Sequence, residues 1–123
     1  MSFVLDTDAI VHFVKDDAQA VEVLSPILAN ETITVPTIVV VELWSSAKAS
    51  KTEMDAIASF LDSTLIMPLD RDLGKFAGEL RRDYRLSLGD SVVAATALAM
   101  NATVLTRNVR DFKRVSNLTF VAV

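Results

Sequence analysis

Cysteine is absent from the 123-residue chain, and histidine, tryptophan and tyrosine occur once each. Without cysteine there are no disulfides, no thiolate zinc sites and no cysteine nucleophile, which accords with a cytoplasmic protein. His12 is the sole imidazole, and it reads as a solvent-facing or packed residue of the first helix rather than a catalytic one. Glycine and proline are scarce, three of each, and no linker, repeat or low-complexity segment interrupts the chain. Long hydrophobic runs are missing as well. No uninterrupted apolar stretch exceeds Ile38–Val41, far short of a bilayer span. The opening Met1–Asp6 lacks the basic start and long apolar region of a signal peptide. The expectation is a soluble protein with no membrane partner.

Positive charge is in deficit, with 12 Lys and Arg against 16 Asp and Glu and a net charge of −4. Domains that bind nucleic acid by charge alone are usually basic. A role on nucleic acid would therefore need bound cations or a local basic patch, such as Arg107, Arg110, Lys113 and Arg114. Apolar residues, by contrast, are plentiful at 51%. They suffice for one core in a single domain spanning residues 1–123, and their surplus predicts self-association or a tight protein partner.

Apolar runs and helical periodicities alternate along the chain. Phe3-Val4-Leu5 reads as a buried strand stopped by Asp6-Thr7-Asp8. Ala9–Lys15 reads as a short helix capped by Thr7 or Asp8, and Asp17–Ala29 as a helix kinked or broken at Pro26. Thr32–Val35 is a second strand, after which Pro36 opens a helix running through Glu42 to Lys48. Thr52–Ser63 is helical, and Leu65–Met67 is a third strand. Asp70–Tyr84 is a long helix whose Gly74 and Gly78 suggest close approach to a neighbour. A loop over Leu86–Gly89 leads to a helix over Asp90–Met100. Thr103–Thr106 is the fourth strand, Asp111–Val115 a helical turn and Thr119–Val123 the last strand. This alternation predicts an α/β fold with a parallel sheet covered on both faces.

Open parallel sheets bind ligands beyond the carboxyl ends of their strands, where strand order reverses. Four acidic residues map to that rim: Asp6 after the first strand, Glu42 in the helix after the second, Asp90 at the head of the helix before the fourth, and Asp111 just beyond the fourth, with Asn108 close by. Each has a bland alternative. Asp6 or Asp90 could cap a helix, and Glu42 or Asp111 could face water. Yet Glu42 stands between Ile38-Val39 and Leu43-Trp44, where an unpaired carboxylate risks costly burial. Carboxylates gathered at one rim repel one another, and a divalent cation with oxygen ligands relieves that repulsion. Magnesium or manganese suits such a site, since neither needs cysteine or histidine.

The segments bearing these acids resemble those of PIN-domain ribonucleases, in particular the VapC-type toxins of VapBC toxin–antitoxin pairs. Val4-Leu5-Asp6-Thr7-Asp8 resembles the family's first strand and aspartate, and Val35-Pro36-Thr37 through Val41-Glu42-Leu43 the segment with its glutamate. Leu88-Gly89-Asp90 through Ala97 resembles the helix with the third acid, and Leu105-Thr106-Arg107-Asn108-Val109-Arg110-Asp111-Phe112 the terminal motif. The resemblance covers nearly the whole chain. It implies a three-layer fold with a five-stranded parallel sheet in order 3-2-1-4-5, and a magnesium- or manganese-dependent endoribonuclease leaving 5′-phosphate and 3′-hydroxyl ends. It also implies homodimerisation and inhibition by a cognate antitoxin. Carried over residue by residue, Asp6, Glu42 and Asp90 are metal ligands and Asp111 the fourth catalytic acid. Asn108 stands where many relatives have aspartate, and Thr7, Thr106, Arg107 and Asn108 are candidates for contact with phosphate or water. An antitoxin would place a basic or aromatic side chain in the acidic groove and cover helices around Trp44 and Phe60. Two alternatives stand beside this reading: an RNA-processing nuclease of the same fold outside toxin–antitoxin pairs, and a phosphohydrolase of the haloacid dehalogenase type. For the latter, Asp6-Thr7-Asp8 would supply nucleophile and acid, but Ala94 and Ala95 stand where a further acid is expected.

Overall fold

The computed structural model describes residues 1–46 and 48–123. Five strands, β1 (Ser2–Leu5), β2 (Thr32–Pro36), β3 (Leu65–Met67), β4 (Thr103–Thr106) and β5 (Thr119–Ala122), form one sheet in the order β3-β2-β1-β4-β5. Every pairing is parallel. The predicted strand order therefore holds. The helices are α1 (Thr7–Val14), α2 (Ala18–Asn30), α3 (Thr37–Trp44), α4 (Lys51–Asp62), α5 (Arg71–Tyr84), α6 (Leu88–Met100) and α7 (Val109–Phe112). α6 packs on β1, β2 and β4, whereas α1, α2 and α4 pack on β4, β2 and β3. Right-handed crossovers put these two sets on opposite faces.

Both faces of the central strands are covered, so their side chains are apolar regardless of pleat. Val4 and Leu5 of β1, Val35 of β2, and Val104 and Leu105 of β4 are fully buried. α6 is buried along most of its length, from Ser91 to Ala97. Its alanines let it lie close across three strands. The edge strand β3, by contrast, exposes Leu65 and Ile66. Among the described residues no helix is long and apolar enough to cross a membrane.

Several boundaries differ from expectation. α2 runs unbroken through Pro26. Proline removes the backbone donor that would serve the Glu22 carbonyl, while its own carbonyl accepts from the Asn30 side chain at 2.8 Å. Pro36 ends β2 and caps α3 instead of opening it. α3 stops at Trp44 rather than Lys48. Ala47, inside the expected extension, lies outside the described residues. α6 starts at Leu88 inside the expected loop, because the Ser87 hydroxyl accepts from the Asp90 amide at 3.2 Å and caps the helix there. The last helical turn covers Val109–Phe112 rather than Asp111–Val115. Gly74 and Gly78 make no close approach within the chain, since a methyl at either would meet nothing within 4 Å.

Candidate active site

Strand order reverses between β1 and β4, and the site grows from their carboxyl ends. Leu5 pairs with Leu105, and the Asp6 amide donates to the Leu105 carbonyl at 3.3 Å. This continuation of the ladder sets Asp6 beside Thr106, whose hydroxyl donates to Asp6 Oδ2. Asp6 Oδ1 accepts from the Ala9 amide at 3.0 Å, so the cap of α1 is Asp6, not Thr7 or Asp8. Asp6 is only 5% exposed. Burial pushes its pKa up to about 6; the bonds from Thr106 and Ala9 oppose the shift, and the charges of Asp8 and Asp90 add to it.

Glu42 lies on α3, exposed, with Oε1 accepting from the Thr7 hydroxyl at 2.9 Å. Asp90 sits in the first turn of α6, half-buried. Its pKa is raised, first by burial and then by repulsion from Asp111, Glu42 and Asp8, against the bond from Ser87. Asn108 Nδ2 donates to Asp90 Oδ2 at 3.2 Å and to Asp111 Oδ2 at 2.8 Å. The Thr106 hydroxyl accepts from the Asn108 amide at 2.9 Å, which holds that arm against β4.

Asp6, Thr7, Asp8, Glu42, Asp90 and Val93 line one small cavity of about 90 Å³. The structure thus brings together the three acids carried over as ligands. Asp8 joins them, although the sequence offered it only as a candidate cap or as the acid of the haloacid dehalogenase alternative. Its signal was its place two residues after Asp6, in the first turn of α1. Asp111 does not line the cavity; it is joined to Asp90 through Asn108 and acts on it by charge. Arg107 is engaged elsewhere: its guanidinium pairs with Asp17 at 2.5 Å and donates to the Val123 carbonyl at 2.8 Å. The pairing lowers the pKa of Asp17 and raises that of Arg107. Arg114 bonds Asp111 at 3.2 Å and the Tyr84 carbonyl at 2.9 Å. Half of the expected basic patch is therefore spent on bonds within the chain. His12 stands 3.4 Å from Arg107, away from the carboxylates. A wider cleft of about 310 Å³ beside Met67, Phe76 and Met100 is mostly apolar and carries no comparable chemistry.

No basic side chain lines the carboxylate cavity. The donor set is oxygen only, which fits a hard divalent cation. Among the described residues no three acids already converge at ligand distance. Carboxylates gathered at one rim repel one another. Asn108 supplies a neutral bridge between two of them. Asn108→Asp should therefore destabilise the metal-free protein by about 1 kcal/mol, since a donor becomes a further acceptor in a half-exposed setting. Urea melts in EDTA check this, and an unchanged or higher midpoint would contradict it.

The PIN domain family matches residues 3–118, and the chain belongs to that family. Within it, the chain is 31% identical over 127 residues to ribonuclease VapC2 of Rickettsia felis, covering 96% of this chain and 95% of the relative. It is 30% identical over 114 residues to ribonuclease VapC19 of Mycobacterium tuberculosis, covering 88% and 90%. Among solved structures, that of VapBC2 from Rickettsia felis bound to a promoter DNA fragment superposes with TM-score 0.84 at 27% identity, covering 100% of this chain and 99% of the other. VapBC-1 from nontypeable Haemophilus influenzae shares the fold at TM-score 0.78 and 22% identity, covering 99% and 98%. Membership of the PIN family sets aside the haloacid dehalogenase alternative.

Proposed function

We propose that this chain is a magnesium- or manganese-dependent endoribonuclease of the VapC type, acting as the toxin of a type II toxin–antitoxin pair. The observation that carries the reading is the cavity at the β1–β4 switch point, which Asp6, Glu42 and Asp90 line without a basic side chain. Relatives of similar length named VapC ribonucleases support it. Asp6, Glu42 and Asp90 would hold the cation. When bound, that ion polarises water and offsets charge building on a phosphodiester. The chain's own residues supply order. Thr106 and the Ala9 amide pin Asp6, Thr7 pins Glu42, and Asn108 steadies Asp90 against Asp111. Thr7, Thr106 and Asn108 place hydroxyl and amide groups beside the carboxylates, suited to orient water or a phosphate oxygen. Arg110 and Lys113, exposed on and beside α7, are the cations of the basic patch placed to meet an RNA backbone. With Arg107 tied to Asp17, its part is to hold Val123 beside the cap of α2.

An antitoxin partner is supported by the VapBC complexes among the structural neighbours. A basic side chain entering the acidic cavity would neutralise it as the cation does. A homodimer is supported by the apolar side chains left exposed, including Val41, Trp44, Leu65 and Ile66.

The test is cleavage of RNA by the purified chain with magnesium, with manganese and with EDTA, beside Asp90→Asn. Cleavage should require the cation and fall at least about a hundredfold in the variant, the upper end of losses caused by outer partners of metal ligands. Cleavage that persists in EDTA, or at native rate in Asp90→Asn, would reject the reading. Growth arrest on expression, relieved by the product of a small neighbouring reading frame, separates a toxin from a processing nuclease.

A further inference from the structure

Of the chain's three glycines, only Gly89 is crowded. It occupies the second position of α6, following the Ser87 cap and Leu88. Nothing in the backbone calls for glycine there. No glycine in the described residues has a positive φ, and a helix gains stability from almost any other residue. What stands against Gly89 is the carboxylate of Glu42. A methyl at this position would lie 2.8 Å from Glu42 Oε1 and 3.0 Å from both Cδ and Oε2. On its other side the same Oε1 accepts from Thr7 at 2.9 Å. The head of Glu42 is thus seated between the Thr7 hydroxyl and the bare Cα of Gly89, at the N-terminal end of α6. The helix dipole favours a negative group there.

We infer that Gly89 is a positioning residue: the missing side chain lets the Glu42 carboxylate rest against α6 and face the cavity shared with Asp6 and Asp90. The inference rests on the nuclease reading for its consequence, not for its geometry. A methyl at 89 meets the end of a flexible side chain, not backbone. The fold yields easily and the carboxylate moves. Fold and site therefore respond in opposite directions to a single added carbon. Gly74→Ala and Gly78→Ala, which meet nothing, would add the same carbon without touching the site.

The experiment compares the native chain with Gly89→Ala, Glu42→Gln, Glu42→Asp and the double variant Gly89→Ala/Glu42→Asp, by thermal melting and by calorimetric titration with Mn²⁺. Gly89→Ala should melt no lower than the native protein, yet bind Mn²⁺ about 10- to 100-fold more weakly, as misplaced ligands do, and match Glu42→Gln. Glu42→Asp should weaken binding in the native background but strengthen it in the Gly89→Ala background, because the shorter side chain withdraws the carboxylate from the added methyl. Native affinity in Gly89→Ala would overturn the inference. So would weakened binding accompanied by a melting point several degrees lower, which would mark general damage. If the native chain binds no Mn²⁺, the nuclease reading fails, and a crystal structure of Gly89→Ala decides the inference alone. Glu42 Oε1 moved off Thr7 supports it, and an intact Thr7–Glu42 bond overturns it.

Discussion

Asp6→Asn is expected to stabilise the metal-free protein at pH 7–8 while removing cation-dependent cleavage. The Asp6 carboxyl has its pKa raised from 3.8 to about 6, chiefly by burial. Folding therefore favours the neutral form. Well below pH 3.8 the group is neutral in both folded and unfolded chains and carries no penalty. As pH rises through 6, the folded protein must ionise a group that the unfolded chain ionises more easily, and stability falls. The gap of about two pKa units corresponds to about 3 kcal/mol once pH exceeds 6. Asparagine cannot ionise, so it escapes that loss and still offers an oxygen to the Ala9 amide. Against the gain stands the charge-assisted bond from Thr106, whose hydroxyl proton loses its acceptor, at about 1–2 kcal/mol. The net is a gain of about 1–2 kcal/mol, or a rise of several degrees in Tm. Melts in EDTA from pH 4 to 8 measure it. The native curve should fall across pH 4–7 and the variant's should fall less, so that the two cross between pH 4 and 6, the native protein being the more stable at the acid end and the variant above neutrality. Magnesium should raise the native curve and leave the variant's flat. Parallel curves for the two proteins would refute the account. The buried charge is a stability cost of the kind that functional sites carry and the rest of the fold offsets.

Most of the scaffold was legible because the signals are local. Phe3-Val4-Leu5, Thr32–Val35 and Thr103–Thr106 are short apolar or β-branched runs bounded by polar residues, and each is a strand within a residue of its expected span. Helix starts were harder, since several capping side chains stand in a row. Asp6, Thr7 and Asp8 can all cap, and the choice falls on Asp6 because β1 ends at Leu5, in register with Leu105. At α6 the signal was present in Ser87-Leu88-Gly89-Asp90, whose serine three residues before an acid is the pattern of a helix start. Asp6, Glu42 and Asp90 could be placed at the rim, but Asp8 beside them and the bonds that hold them could not. Thr7 meets Glu42 across 35 residues of sequence, Arg107 meets Asp17 across 90, and Thr106 meets Asp6 across 100. No periodicity reports such pairings; they follow from strand order and register. Gly89 shows the same limit. Its role is written in an absent side chain, which only the position of Glu42 makes visible.

Phe112→Ala should cause the largest loss of stability among the changes considered. α7 has four residues, too few to hold a helix alone. Phe112 is its one buried side chain and is fully enclosed, so it anchors the turn to the domain. Removing a buried phenyl ring typically costs about 3–5 kcal/mol, a large share of the roughly 5–15 kcal/mol that holds a domain together. The variant should unfold at markedly lower urea, with the midpoint reporting the loss. Phe112→Leu keeps most of the volume and should cost about 1–2 kcal/mol. It stays folded and exposes the second consequence. Asn108 stands just before α7, with no capping bond from its side chain, and Asp111 lies within the helix, so loosening this anchor frees the arm that bridges Asp90. Amide exchange at Val109–Lys113 should quicken in Phe112→Leu more than exchange in β1 or β4, and Mn²⁺ affinity should fall with it. If Phe112→Ala stayed within about 1 kcal/mol of native, below the usual cost of such a truncation, α7 would be held by other means. The bond from Arg114 to the Tyr84 carbonyl would be the first to examine. A buried ring on one side of the turn and a bridging amide on the other make the last acids of the site depend on hydrophobic packing rather than on charge.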